Sequence, residues 1–329
     1  MGYCGVTIPV VALNSGYDMP MIAAGTAIAP PFPTGQPKAA VLDAIEAGYR
    51  YIDTAAMYGT EEAVGAAIKE ARERGLIKNR QDLFITTKLW CNNAHPDRVL
   101  PAIRESLRKL GLEYVDLYLI HAPVTLESHV SDFTSCKKDE ISPLDIKTVW
   151  AAMEEVQKLG LAKSIGVSNF TCKKLTELLD HAKTIPAVNQ VEMHPALRQK
   201  RVREFCKAKG IHVSAYSPLG GKEWGFDVVL GNELLKDIAH NKEKSAAQIA
   251  LRWGHEQGVS LITKSFNKRR LEENLDIFDW KLTKEELEKI ALFPQTRIGT
   301  FSEFVVPGGP FLESSLLEIG HDKLCGEAF

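Results

Sequence analysis

Apolar residues follow two alternating patterns along this chain. One is a short unbroken apolar run, as expected of a strand covered on both faces. The other is a longer stretch with apolar residues every three or four positions, the repeat of a helix with one buried face. The runs predict strands at 21–25, 51–53, 83–88, 114–121, 162–167, 187–191, 211–216 and 259–263. The helical repeats fall at 38–47, 61–74, 96–110, 146–159, 172–181, 200–209, 233–240, 246–256 and 269–277. Glu61, Glu62 and a Thr60 cap open the second helix, and Val64, Ala67, Ile68 and Ala71 line one face of it. Pro96 opens the third, and Gly160 and Gly210 stop two others. Ahead of the first strand, apolar runs around Asn14-Ser15-Gly16 predict a small hairpin.

Eight strands, each followed by helix, predict the α/β class and a (β/α)8 TIM barrel with an N-terminal hairpin. The competing open doubly wound sheet binds dinucleotides through Gly-x-Gly, and no Gly-x-Gly occurs among the 24 glycines. No Pro-, Gly- or Ser-rich linker divides the chain, so residues 1–329 are expected to form one domain with a tail from about 297. Two connections are long, 122–145 and 217–232, and both leave C-terminal strand ends. Loops of that length in a compact domain usually serve function. The tail carries Phe301, Phe304, Pro307 and Phe311, which fits either a loose terminus or a cover over the barrel mouth.

Composition is that of an ordinary soluble protein, 45% hydrophobic and 25% charged. A net charge of −2 offers nothing to draw nucleic acid or an anionic membrane. No apolar run approaches the roughly 18 residues of a membrane span. The first residues hold no secretory signal or myristoylation pattern. Six cysteines, at 4, 91, 136, 172, 206 and 325, are scattered without a Cys-x-x-Cys pair. They read as reduced thiols of a cytoplasmic protein, in which the sequon Asn169-Phe170-Thr171 would stay unmodified. A monomer is the default expectation.

The strand ends carry the chemistry. Asp53, Lys88, His121, Ser168-Asn169, Gln190, Tyr216-Ser217 and Lys264-Ser265 gather on one rim, where barrel active sites lie. Tyr58 stands on the turn between Asp53 and the next helix. A tyrosine of pKa about 10 is a poor acid at neutral pH, and the Lys88 ammonium is expected to lower it, with Asp53 holding Lys88. His121 can donate to an acceptor oxygen. This set suits protonation of an oxygen as charge develops on it. Reduction of a carbonyl by hydride is such a reaction, and the hydride must come from a cofactor. The stretch 262–274 ends a strand in Lys264-Ser265 and opens a helix with Arg270 in its first turns, a reading equally open to a phosphate site or a solvated basic helix start.

Several segments together resemble the aldo-keto reductase family. They are 48–65, 85–90, Leu119-Ile120-His121-Ala122-Pro123, Ile165-Gly166-Val167-Ser168-Asn169-Phe170, 188–195 and 262–274, in order and at family spacing over about residues 7–300. Lys264-Ser265-Phe266-Asn267, Leu89-Trp90-Cys91 and Ile277-Phe278-Asp279-Trp280 are similar to plant members that reduce ketones in specialised metabolism, alkaloid metabolism included. The resemblance implies NADPH bound across the rim and a small-molecule carbonyl substrate. Tyr58 would be the proton donor, supported by Asp53, Lys88 and His121. Thr26, Asp53, Ser168, Asn169, Gln190 and Tyr216 would bind the nicotinamide end, Ser217 and Leu219 the pyrophosphate. Lys264, Ser265, Phe266, Asn267 and Arg270 would hold the 2′-phosphate end, with Glu273 and Asn274 near the adenine. Trp90, His121, Ala122 and Trp224 would line the substrate pocket. Ala122 stands where many relatives carry Trp or His, which implies room for a bulky ketone. Two other classes remain: a nucleotide-sensing binding module with little turnover, and a metal-dependent barrel hydrolase using His121, His194 and Asp53.

Overall fold

A computed structural model describes residues 7–27, 35–131, 136–221 and 227–298. A hairpin of β1 (Val10–Ala12) and β2 (Asp18–Pro20) precedes the barrel. The barrel strands are β3 (Ile22–Gly25), β4 (Tyr51–Asp53), β5 (Phe84–Leu89), β6 (Val115–Ile120), β9 (Ala162–Ser168), β10 (Val188–Glu192), β11 (His212–Tyr216) and β12 (Ser260–Thr263). They pair in parallel and close on themselves in sequence order, β12 meeting β3. Between β6 and β9 the chain inserts an antiparallel pair, β7 (Val124–Leu126) and β8 (Ile141–Pro143). The helices are α1 (Gln36–Ala47), α2 (Glu61–Glu73), α3 (Val99–Leu110), α4 (Ile146–Lys158), α5 (Cys172–Leu179), α6 (Lys200–Ala208), α7 (Glu233–Asn241), α8 (Ala246–Glu256), α9 (Lys268–Leu275) and α10 (Lys284–Ile290).

The large core lies between strands and helices, where residues such as Ile52, Ile85, Tyr118 and Val167 meet Val64, Ile103 and Trp150. A smaller cluster joins Ala23, Tyr51, Phe84, Leu117, Leu119, Val188 and Ile262 to Leu13 and Met19 of the hairpin. These strand residues share one phase of the two-residue repeat, the phase facing the barrel axis. The hairpin therefore closes the N-terminal end of the barrel. Continued toward the other end, the same phase runs Tyr51, Asp53; Phe84, Thr86, Lys88; Leu117, Leu119, His121; Ser164, Gly166, Ser168; and Val188, Gln190, Glu192. Polar groups at the open end are thus the last members of the inward series.

Four features of the fold differ from what the sequence predicts. The helix after β5 starts at Val99; Pro96 lies in a separate turn, where the Arg98 N–H donates to the His95 carbonyl at 2.9 Å. The 122–145 connection holds the β7–β8 pair, whose three-residue strands leave no readable period. The capped helix α10 was not foreseen; with only Leu287 and Ile290 as apolar residues it has almost no hydrophobic stripe. Thr60 stands before α2 but does not cap it: its hydroxyl lies 3.0 Å from Thr26 Oγ1 and 3.1 Å from Thr54 Oγ1.

Candidate active site

Lys88 organises the mouth of the barrel. Its side chain is fully buried, so every ammonium proton needs an acceptor. Nζ donates to Asp53 Oδ1 at 2.6 Å, to the Thr54 carbonyl at 2.9 Å and to Tyr58 Oη at 3.3 Å. Asp53 is 2% exposed, and its second oxygen accepts from Gln190 Nε2 at 2.8 Å. The register makes the pairing inevitable: Asp53 is level with Thr86 on β5, and Lys88 is the next residue of that strand on the same face. Burial pulls the Lys88 ammonium down, but Asp53 and then Tyr58 outweigh it and hold the group charged above its ordinary range.

Tyr58 ends a 3₁₀ turn, Ala56–Tyr58, with Gly59 behind it at φ 66°. The phenol pKa is raised, against the sequence expectation. Burial raises it most, the Lys88 ammonium lowers it, Asp53 raises it again, and the sum lies above the usual value. Tyr58 therefore carries its proton at neutral pH. The ammonium matters for the phenolate that forms when that proton leaves.

His121 packs edge-on against Tyr58, with ring centroids 5.5 Å apart, and against Trp90 at 5.1 Å. Burial, then the charge on Lys88, push its pKa well below the usual 6.5, so the ring is neutral. A neutral imidazole has one N–H to offer an oxygen, and it adds no charge to repel Lys88.

Of the other residues singled out from the sequence, Ser168, Asn169, Gln190 and Tyr216 form one network beside this centre. Ser168 Oγ donates to the Gln190 carbonyl at 2.8 Å, and Asn169 Nδ2 to the His121 carbonyl at 2.9 Å. The Tyr216 hydroxyl donates to Asn169 Oδ1 at 2.8 Å. Asn169 and Ser217 hold left-handed backbone, φ 64° and 50°. Thr26 is buried, and its hydroxyl donates to the Asp53 carbonyl at 3.2 Å. Leu219 is partly buried against the main core. Trp90 and Ala122 share an apolar cluster with Cys91, Val124, Leu126, Val130 and Ile141. Trp224 and the tail aromatics from Phe301 onward lie outside the described residues.

The α9 end of the rim is exposed and cationic. Lys264 and Ser265 are half-buried, and Phe266 through Arg270 are exposed. Asn267 caps α9 by accepting the Arg270 N–H at 3.2 Å, and Ser265 Oγ closes the turn ahead of it. Lys268 is paired with Glu46 at 2.7 Å and Arg269 with Glu273 at 2.9 Å. Arg270 has no ion pair to another described residue. A planar cation at a helix start with unused N–H groups is a donor set fitted to a phosphate monoester. Asn274 is buried, 4% exposed.

Two residues of this centre are not visible in the sequence pattern. Thr54 contributes a backbone carbonyl, which no side-chain pattern announces. Met57 is 42% exposed at the mouth, and its place just before Tyr58 was the available signal. The metal-site alternative loses its ligands. His194 is fully buried and bonded to Glu192 at 3.1 Å, and no cluster of three metal-ligating side chains occurs among the described residues.

Comparison with known proteins gives the same answer as the geometry. Residues 22–293 match the model of the aldo/keto reductase family. The chain is 56% identical over 309 residues to 7-acetyl-epi-neemfruitin B aldo-keto reductase of Melia azedarach, covering 93% of this chain and 95% of that one. It is 53% identical over 306 residues to NADPH-dependent codeinone reductase 1-4 of Papaver somniferum, covering 92% and 95%. Among solved structures, Bombyx mori aldo-keto reductase in complex with NADP superposes with a TM-score of 0.82 at 39% identity, covering 91% of this chain and 97% of the other. With its closed barrel, its Asp53–Lys88–Tyr58 centre and these matches, the chain belongs to the aldo/keto reductase family.

Proposed function

We propose that the chain is an NADPH-dependent oxidoreductase that reduces a ketone or aldehyde to an alcohol in plant specialised metabolism. The observation that carries this reading is the buried ammonium of Lys88, hydrogen-bonded to Asp53 and to the protonated phenol of Tyr58 at an open barrel mouth. Relatives named as NADPH-dependent or bound to NADP support the cofactor. So does the donor set at the start of α9.

Reduced nicotinamide supplies the hydride. The chain's own residues do the rest. Tyr58 Oη gives its proton to the carbonyl oxygen as negative charge grows there. Lys88 stabilises the phenolate left behind, and Asp53 keeps Lys88 charged and aimed. Neutral His121 donates its N–H to the same oxygen and orients it. Ser168, Asn169, Gln190 and Tyr216 hold the nicotinamide end. Thr26 lies at that same end, Ser217 and Leu219 line the path between, and Lys264, Ser265, Phe266, Asn267, Arg270, Glu273 and Asn274 hold the adenosine phosphate end. Trp90, Ala122 and Met57 form the pocket wall, and Ala122 leaves it room for a bulky ketone. The reading takes residues 1–329 as one barrel domain with a tail from about 297, monomeric and cytosolic. No described helix is long and apolar enough to cross a membrane, and the contiguous core supports the single domain.

The test is NADPH consumption by the purified chain against small aldehydes, sugars, steroids and alkaloid or polyketide ketones. Turnover of a ketone, with NADPH favoured over NADH, is expected. NADPH binding without turnover across the whole panel would instead select the nucleotide-sensing module.

A further inference from the structure

Beyond the groups already described, the mouth holds a second buried charge pair. Glu192 is the last residue of β10 and is 1% exposed. Its Oε1 accepts from the Ile298 backbone N–H at 2.7 Å and from His194 Nε2 at 3.1 Å. Its Oε2 lies 4.0 Å from Arg297 Nε, with the Arg297 side chain 13% exposed. Glu192 is level with Tyr216 on β11, so the Arg297 guanidinium beside Glu192 also stands near the Tyr216 phenol, close enough to favour its ionised form. That phenol in turn donates to Asn169 Oδ1 at 2.8 Å, and Asn169 Nδ2 donates to the His121 carbonyl at 2.9 Å. A line of polar neighbours thus runs from the segment that follows α10, past Tyr216, to the backbone of His121.

The segment is tied down on both sides of Arg297. The Thr296 N–H donates to the Ala196 carbonyl, and Arg198 donates to the Phe293 carbonyl at 2.9 Å and through its backbone to Gln295 Oε1 at 2.9 Å. Clamped between these and the Ile298–Glu192 bond, Arg297 is held beside Glu192. Placing a guanidinium against a carboxylate and a phenol costs desolvation that neither partner needs for folding alone. What it gains is a phenol set between a hydrogen bond to Asn169 on one side and a positive charge on the other.

We infer that Arg297, anchored by Glu192, is a positioning residue that sets the Tyr216 ring for the nicotinamide and so couples the C-terminal segment to cofactor binding. The inference rests on the function proposed above, in which Tyr216 faces the nicotinamide. On this inference Arg297 acts through the Tyr216 hydroxyl. A ring held in place before binding saves ordering cost when the cofactor arrives.

The test compares two ligands, NADPH and adenosine 2′,5′-bisphosphate, which keeps the phosphorylated adenosine and lacks the nicotinamide. Both are titrated by tryptophan fluorescence into the full chain and its Arg297→Met variant. The dissociation constant for NADPH is expected to rise about tenfold, and that for the bisphosphate to stay within about twofold. In a Tyr216→Phe background, Arg297→Met is expected to add less than about twofold, because the hydroxyl it acts through is gone. Glu192→Gln, which keeps an acceptor for Ile298, should weaken NADPH in the same direction. An unchanged NADPH constant, equal weakening of both ligands, or full additivity with Tyr216→Phe would overturn the inference while leaving the proposed reductase standing. A wild-type chain that fails to bind NADPH would remove both.

Discussion

Lys88 has no water to solvate it, so its three protons go to Asp53, Thr54 and Tyr58. Removing one partner from such a buried pair costs on the order of 3–5 kcal/mol, so chemistry and fold share this lysine. A phenolate 3.3 Å from the ammonium gains about 5 kcal/mol at an effective dielectric of about 20. That term applies only after the proton has moved, because burial keeps the resting phenol protonated. It is therefore a stabilisation of the transition state more than of the ground state. On the opposite wall, Ala122 is 6% exposed and packed with Trp90, Cys91 and Val124. Ala122→Trp must push into the pocket against Trp90. We expect KM for a bulky ketone to rise about tenfold while that for a small aldehyde changes less than about twofold. Steady-state kinetics on both substrates checks this, and equal effects would remove Ala122 from the pocket wall.

At the scale of elements, close approach decides what packing tolerates. Gly65 sits inside α2, where Gly→Ala ordinarily favours a helix by about 1 kcal/mol. Here an added Cβ would stand 2.5 Å from the Leu110 carbonyl oxygen at the end of α3. The clash outweighs the propensity, and Gly65→Ala is expected to destabilise by about 1–3 kcal/mol, read as a lowered denaturant midpoint. Much of this architecture was legible. Unbroken apolar runs placed all eight barrel strands to within a residue or two, because strands covered on both faces have no polar phase to blur them. The rim residues were legible too, through polar groups at strand ends. The inward phase then picks out the members that face the axis: Lys88 rather than Leu89, Gln190 rather than Val191. Less was readable where the signal depends on geometry. The β7–β8 strands are too short for a period, and α10 has almost no apolar stripe. The Thr60 hydroxyl chose Thr26 and Thr54 over the helix end, a competition decided by barrel closure. The direction of the Tyr58 pKa depends on burial, which the sequence does not display.

For the whole molecule, buried histidines couple folding to pH. Burial pushes His212 down to about 4 and, together with Lys88, pushes His121 well below its usual range. Between pH of about 6.5 and these lowered values the unfolded chain binds protons that the folded chain does not, so stability falls as pH falls. His212 alone contributes a slope of up to about 1.4 kcal/mol per pH unit between about 6.5 and 4. Denaturant unfolding at pH 8, 6 and 5 should show stability holding at the upper end and dropping through the lower window. Replacing His212 with Gln should flatten that drop, and an unchanged pH dependence would contradict the assignment.

The central claim is that the Tyr58 hydroxyl delivers a proton in a step made favourable by Lys88. It is tested most directly by turnover of Tyr58→Phe at saturating NADPH and carbonyl, with the NADPH dissociation constant measured alongside. The account predicts a fall in kcat of about 10²-fold or more with NADPH affinity within about twofold of wild type. Wild-type turnover by the phenylalanine variant would contradict it.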